Sequence, residues 1–133
     1  MNTRRKLLAA GASVALVAAG VVGGAVPASA AAQYATLYIT PSGEHPGYYD
    51  VVVSGHINAS SGTVGMRLIG DDPVFNDDLG VSRSGQVIGG EFALYALVWH
   101  GTLNEDWEGR DEIFAKVSGP GFSTSTANVN GYF

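Results

Sequence analysis

Residues 31–133 predict an all-β fold, an antiparallel β-sandwich of about seven or eight strands, behind an N-terminal signal peptide. Three observations carry this. Apolar residues come in short alternating or continuous runs, and Gly, Pro, Asn and Asp separate the runs. No stretch couples a helix cap to sustained helical spacing. The chain has no cysteine, so a packed core, hydrogen bonds or a bound ion must do what disulfides do in many small exported domains. A closed barrel is the alternative arrangement of the same strands.

The leader, residues 1–30, is read first because it is not part of the fold. "MNTRRK" is a basic n-region, "LLAAGASVALVAAGVVGGAV" an apolar h-region, and Ala28, Ser29 and Ala30 a small-residue cleavage signal. Its Ala and Gly content and prompt "PASA" ending read as a cleaved signal and not as a lasting membrane span. Arg4 and Arg5 ahead of the apolar run resemble a twin-arginine export motif, and the general secretory route accepts the same residues. The leader is also similar to those of small exported actinobacterial proteins. The expected location is extracellular.

Removing 30 residues from 133 leaves 103, enough for a single domain, 31–133, with one core. Arg4, Arg5 and Lys6 leave with the leader, so four basic residues then face twelve acids and the formal charge becomes −8. Nucleic acid and anionic membrane surfaces are poor partners for such a chain, and cations are better ones.

The strands follow in order. "YATLYIT" sends Ala35, Leu37 and Ile39 one way and Tyr34, Thr36, Tyr38 and Thr40 the other. After the turn signal "PSGEHPG", "YYDVVVSGHI" aligns Tyr49, Val51, Val53 and Ile57. "INASSG" turns the chain into "TVGMRLIG", where Val64, Met66 and Leu68 alternate inward. "GVSRSGQVIG" is a short strand. "EFALYALVWHGTL" is apolar on both faces, with Phe92, Leu94, Ala96 and Val98 on one and Tyr95, Leu97 and Trp99 on the other, so it predicts a central strand that buries Trp99. "DEIFAKVSG" and "GFSTSTANVNGYF", split by "SGPG", supply the last two.

Nine of the twelve acids fall in two segments between these strands, Asp71, Asp72, Asp77 and Asp78 in the first and Glu105, Asp106, Glu108, Asp111 and Glu112 in the second. Clustered like charge costs free energy that a divalent cation removes. Calcium suits the residue types, since it takes six to eight oxygen ligands in flexible geometry, and Asn76 and Asn104 add neutral oxygens. Zinc or copper would want Cys or clustered His, whereas His45, His56 and His100 are scattered. An EF-hand fails on spacing, because Asn104, Asp106, Glu108 and Gly109 fit positions one, three, five and six but position twelve is Ala115.

"DDPVFNDD" and "EDWEGRDEI" resemble the calcium loops of C2 domains, sandwiches that gather acids from separate loops at one end. That resemblance implies a C2-like or Ig-like sandwich and a ligand set drawn from Asp71, Asp72, Asp77, Asp78, Asn104, Asp106, Glu108 and Asp111, with Glu105 in reserve. It covers these two segments and the strand count. The chain departs from the family in being shorter and acidic, and in having three strands before its first acidic loop, so lipid docking does not carry over. The competing reading of the same residues is a pair of solvated turns.

Catalysis has little to build on. Glu105, Glu108 and Glu112 beside Trp107 are carboxylates of the kind glycosidases use, but in so crowded an acidic loop nothing separates an acid from a base. Cysteine is absent and no serine sits in a G-x-S-x-G elbow. A non-enzymatic protein is expected. Tyr34, Tyr38, Tyr48, Tyr49, Trp99 and Trp107 are the aromatics through which an extracellular protein or glycan would be held, with Trp107 the one expected to face outward.

Overall fold

A computed structural model describes residues 31–105 and 109–133. Eight strands, β1 (Tyr34–Pro41), β2 (Tyr48–His56), β3 (Ser61–Asp71), β4 (Asn76–Ile88), β5 (Glu91–Trp99), β6 (Asp111–Gly119), β7 (Phe122–Ser125) and β8 (Val129–Gly131), are joined by loops and one short helix, α1 (His100–Leu103). The fold is all-β and every pairing is antiparallel.

The strands hydrogen-bond in the order β1-β2-β5-β4-β3-β6-β7, and β8 pairs with the other end of β6. They therefore form one continuous sheet, curled until β1 returns beside β6, β7 and β8, a nearly barrel-shaped arrangement. The sheet folds on itself at the β4–β5 hairpin, where Ile88 and Glu91 are the single registered pair. Gly89 and Gly90, at φ of 60° and 87°, supply the two left-handed residues that such a tight turn requires.

Alternation sets the core. Leu37, Val51, Val53, Val64, Met66, Leu68, Phe92, Leu94, Ala96 and Val98 point inward and are buried, together with Ile113, Ala115 and Val117 of β6. The inward phase of β5 is the one expected. Its outward phase is not covered: Tyr95 is 54% and Trp99 47% exposed, so Trp99 is outside the core. The reason is register. Trp99 is paired with Tyr48 at the end of the strands, and its ring packs on Tyr48, on His100 and over Gly47.

Three further departures matter for the site. "GFSTSTANVNGYF" is two strands, because Thr126 takes over the ladder with its side chain: its backbone N–H donates to the Ala115 carbonyl at 2.9 Å while its hydroxyl accepts from the Ala115 N–H at 2.9 Å. A bulge between Arg67 and Ile69 lets β4 run on to Asn76. The acids are consequently not confined to loops: Asp71 closes β3, Asp77 and Asp78 lie in β4, and Asp111 and Glu112 open β6.

Candidate metal centre

β3 and β4 end in a hairpin whose last registered pairs are Gly70 with Asp77 and Asp71 with Asn76. That places Asp72 and Asp77 at one end of the sheet. The second acidic segment arrives at the same end through α1, whose last turn is closed by the Asn104 N–H donating to the His100 carbonyl at 2.9 Å. Leu103 is fully buried and pins this turn.

The two segments meet. Carboxylate oxygens of Asp72, Asp77 and Glu105 lie within 4.8 Å of one another. Two ligands facing each other across a calcium ion stand about 4.6 to 5.2 Å apart, twice the usual Ca–O length, so the three oxygens fit a shared ion of that size. Without a cation, each pair of charges at that separation costs about 1 kcal/mol even at the dielectric of water.

Two neighbours hold Glu105 there. The buried Asp111 carboxylate accepts a hydrogen bond from the Glu105 N–H at 2.9 Å, which fixes the backbone. Gly70 leaves room for the side chain, because a Cβ at that position would fall on the Glu105 carboxylate. The missing methyl is thus a cradle for an anionic group, and a third of the cluster depends on it.

The remaining expected ligands are placed differently. Asp71 accepts from the Asn128 side-chain amide at 2.7 Å. Asp78 is engaged by Arg67 at 2.7 Å and by the Gly80 N–H at 2.9 Å. Asp111 lies beneath the cluster as a support, and Asn104 contributes its backbone to the helix end. Asp106, Glu108 and the neighbouring Trp107 lie outside the described residues. Glu105, held in reserve by the sequence reading, is the described member from the second segment. Gly70 and Asn128 went unread; the one signal for Gly70 was a glycine directly before "DD" at a strand end. His45, His56 and His100 enter no potential metal cluster among the described residues, and His56 is hydrogen-bonded through Nδ1 to Glu91 at 2.6 Å.

No family model, curated protein or solved structure matches this chain.

Proposed function

We propose that the protein is an exported, non-enzymatic β-sandwich-like domain that binds calcium through its two acidic segments and acts by binding or scaffolding. The observation that carries this reading is the convergence of Asp72, Asp77 and Glu105, with 27 residues between Asp77 and Glu105, on oxygens within 4.8 Å. The space at Gly70 supports it, since glycine here leaves room for the Glu105 carboxylate beside Asp72 and Asp77.

An ion that binds only the folded state raises its melting point. Calcium at about a hundredfold over its Kd adds about 2.7 kcal/mol, or roughly 10 to 20 °C for a domain of this size. Asp77→Asn and Glu105→Gln should each abolish most of that shift, and Gly70→Ala should abolish it by displacing Glu105. A melt unmoved by millimolar calcium overturns the reading.

A glycan or protein ligand is the second reading, favoured by the exposed rings of Tyr34, Tyr38, Tyr95 and Trp99 on the outer side of β1-β2-β5. A partner retained in the presence of chelator would favour this over a calcium-dependent role.

A further inference from the structure

The inward phase of β1, β2 and β5 supplies core residues, and their outward phase is exposed or half-buried throughout. Register divides that outer face into rows that cross all three strands. Tyr38, Val52 and Tyr95 form the middle row. Thr36, Ser54 and Ala93 lie on one side of it, and Thr40, Asp50 and Leu97 on the other. Beyond these, Tyr34 stands beside His56 in the first row, and Tyr48 and Trp99 close the last. Directly paired residues point to the same side, so rows bearing rings alternate with rows bearing hydroxyls and a carboxylate on a single surface.

These rings are also held. The Tyr95 phenol is tied to Asp50 at 2.7 Å, which carries its side chain across the β2–β5 pair. Trp99 meets Tyr48 edge-on with centroids 5.2 Å apart and lies 4.3 Å from the His100 ring. A Cβ at Gly47 would stand 2.6 Å from the indole, and one at Gly101 2.8 Å from its Nε1, so two glycines make room for Trp99 against the backbone. Exposed rings that are already ordered lose little freedom when a ligand stacks on them.

Charge and spacing select the ligand. None of the four basic residues that follow the leader lies on these three strands. Asp50 accepts from Tyr95, and Glu91 is bound to His56 Nδ1 at 2.6 Å, so an anionic ligand finds no free cation here and meets Asp50. An apolar protein surface would bury the threonine and serine hydroxyls without partners. A pyranose instead offers an apolar C–H face to a ring and a rim of hydroxyls to the rows between. The Cα atoms of Tyr38 and Tyr95, one strand apart on either side of Val52, are separated by about 10 Å. Two units of an extended β1,4-linked pyranose chain span a comparable length, after which the same sugar face recurs. Tyr34 and Trp99 at opposite corners extend the platform to roughly 30 Å, room for about six such units.

We propose that this face binds an uncharged β1,4-linked pyranose polymer, of the glucan or N-acetylglucosamine type. Tyr38, Tyr95 and Trp99 stack on its sugars, and Asp50, whose carboxylate keeps acceptor sites beside the Tyr95 bond, receives sugar hydroxyls. The inference rests on the reading of the exposed rings as a ligand surface and names the chemistry of that ligand.

The test is isothermal titration of the purified chain with cellohexaose, N-acetylated chitohexaose, maltohexaose and hexagalacturonate, with chelator present so that the calcium reading plays no part. Cellohexaose, chitohexaose or both bind below millimolar concentration, each binder at least tenfold tighter than its own disaccharide, and the other two hexamers do not bind; the hexamer that binds identifies the sugar. Tyr38→Ala, Tyr95→Ala and Trp99→Ala each weaken binding about tenfold or more, and Tyr38→Ala, at an exposed strand position, does so with the melting point little changed. Phe75→Ala removes an exposed ring on the β3–β4 turn and leaves binding intact. Absence of binding by both β1,4-linked hexamers overturns the proposal. Ring-dependent binding of maltohexaose or hexagalacturonate, or self-association of the chain that the same substitutions abolish, overturns the sugar class and leaves the rings a ligand surface. Hexamer binding that survives loss of all three rings, or that Phe75→Ala reduces equally, overturns that underlying reading as well.

Discussion

Tyr95 shows how a single outward side chain on this sheet acquires a distinct chemistry. Its phenol donates to Asp50 at 2.7 Å across the β2–β5 pair. That hydrogen bond, then limited desolvation and the nearby negative charges of Asp50 and Glu44, raise the Tyr95 pKa above its ordinary value of 10.0. The folded state holds the proton more tightly than the unfolded chain does. The contribution is therefore fully present below about pH 10 and is lost as pH rises from there through the folded value. In a phenolate absorbance titration, one of the six tyrosines should ionise later than in Asp50→Asn, where that residue returns towards the ordinary range. Identical titrations of the two proteins would show that the bond is not kept in solution. The same scale explains why Glu105 was hard to choose from sequence: five acids in eight residues look equivalent, and the space that takes its carboxylate lies at Gly70 of β3, 35 positions earlier in the chain.

At the scale of elements, strand identity was legible because it is written locally. Each alternating run became a strand, and the inward phases of β1, β2, β3 and β5 follow from which residues are apolar. The bulge in β3–β4, the split of the last strand at Thr126 and the helical turn after Trp99 were not legible, since each depends on a partner distant in sequence or on a single turn. The β4–β5 hairpin lies between these cases, because its Gly-Gly pair is visible while its tolerance is not. Gly90 has φ of 87°, and a Cβ there would stand 2.8 Å from His56 Cε1 and 2.9 Å from the Ile57 carbonyl oxygen. Gly89, at φ of 60°, has nothing within 4 Å. Gly90→Ala should therefore cost about 1 to 3 kcal/mol in urea unfolding, while Gly89→Asn, a residue that accepts left-handed backbone, should stay within about 0.5 kcal/mol of the parent. Equal effects at the two positions would remove the steric distinction.

For the whole molecule, the question is what keeps a single curled sheet closed when its ends are not paired by backbone along their length. β7 and β8 both pair with β6, at Lys116–Gly119 and Asp111–Ile113, so the chain's last residues are carried back along that strand. Phe133 then packs edge-on against Tyr49 of β2, with centroids 5.4 Å apart and planes at 86°, and its ring lies over Gly131, where a Cβ would sit 2.9 Å from Cζ. It also joins the partly buried residues on the core. The ring thus connects the β6 side of the sheet to the β1-β2 side, a role that the sequence "NGYF" cannot disclose because both contacts require the finished curl. Truncating a fully buried Phe costs about 3 to 5 kcal/mol, and a half-buried ring with one favourable edge contact should cost less. Phe133→Ala is therefore expected to lower unfolding free energy by about 1 to 3 kcal/mol, and Phe133→Leu, which keeps apolar contact but not the ring geometry, by about half as much. Denaturant unfolding with an unchanged slope separates this from loss of the fold's cooperativity. If Phe133→Ala moves the midpoint no more than an ordinary surface change, closure rests instead on the contacts of β1 with β6, β7 and β8.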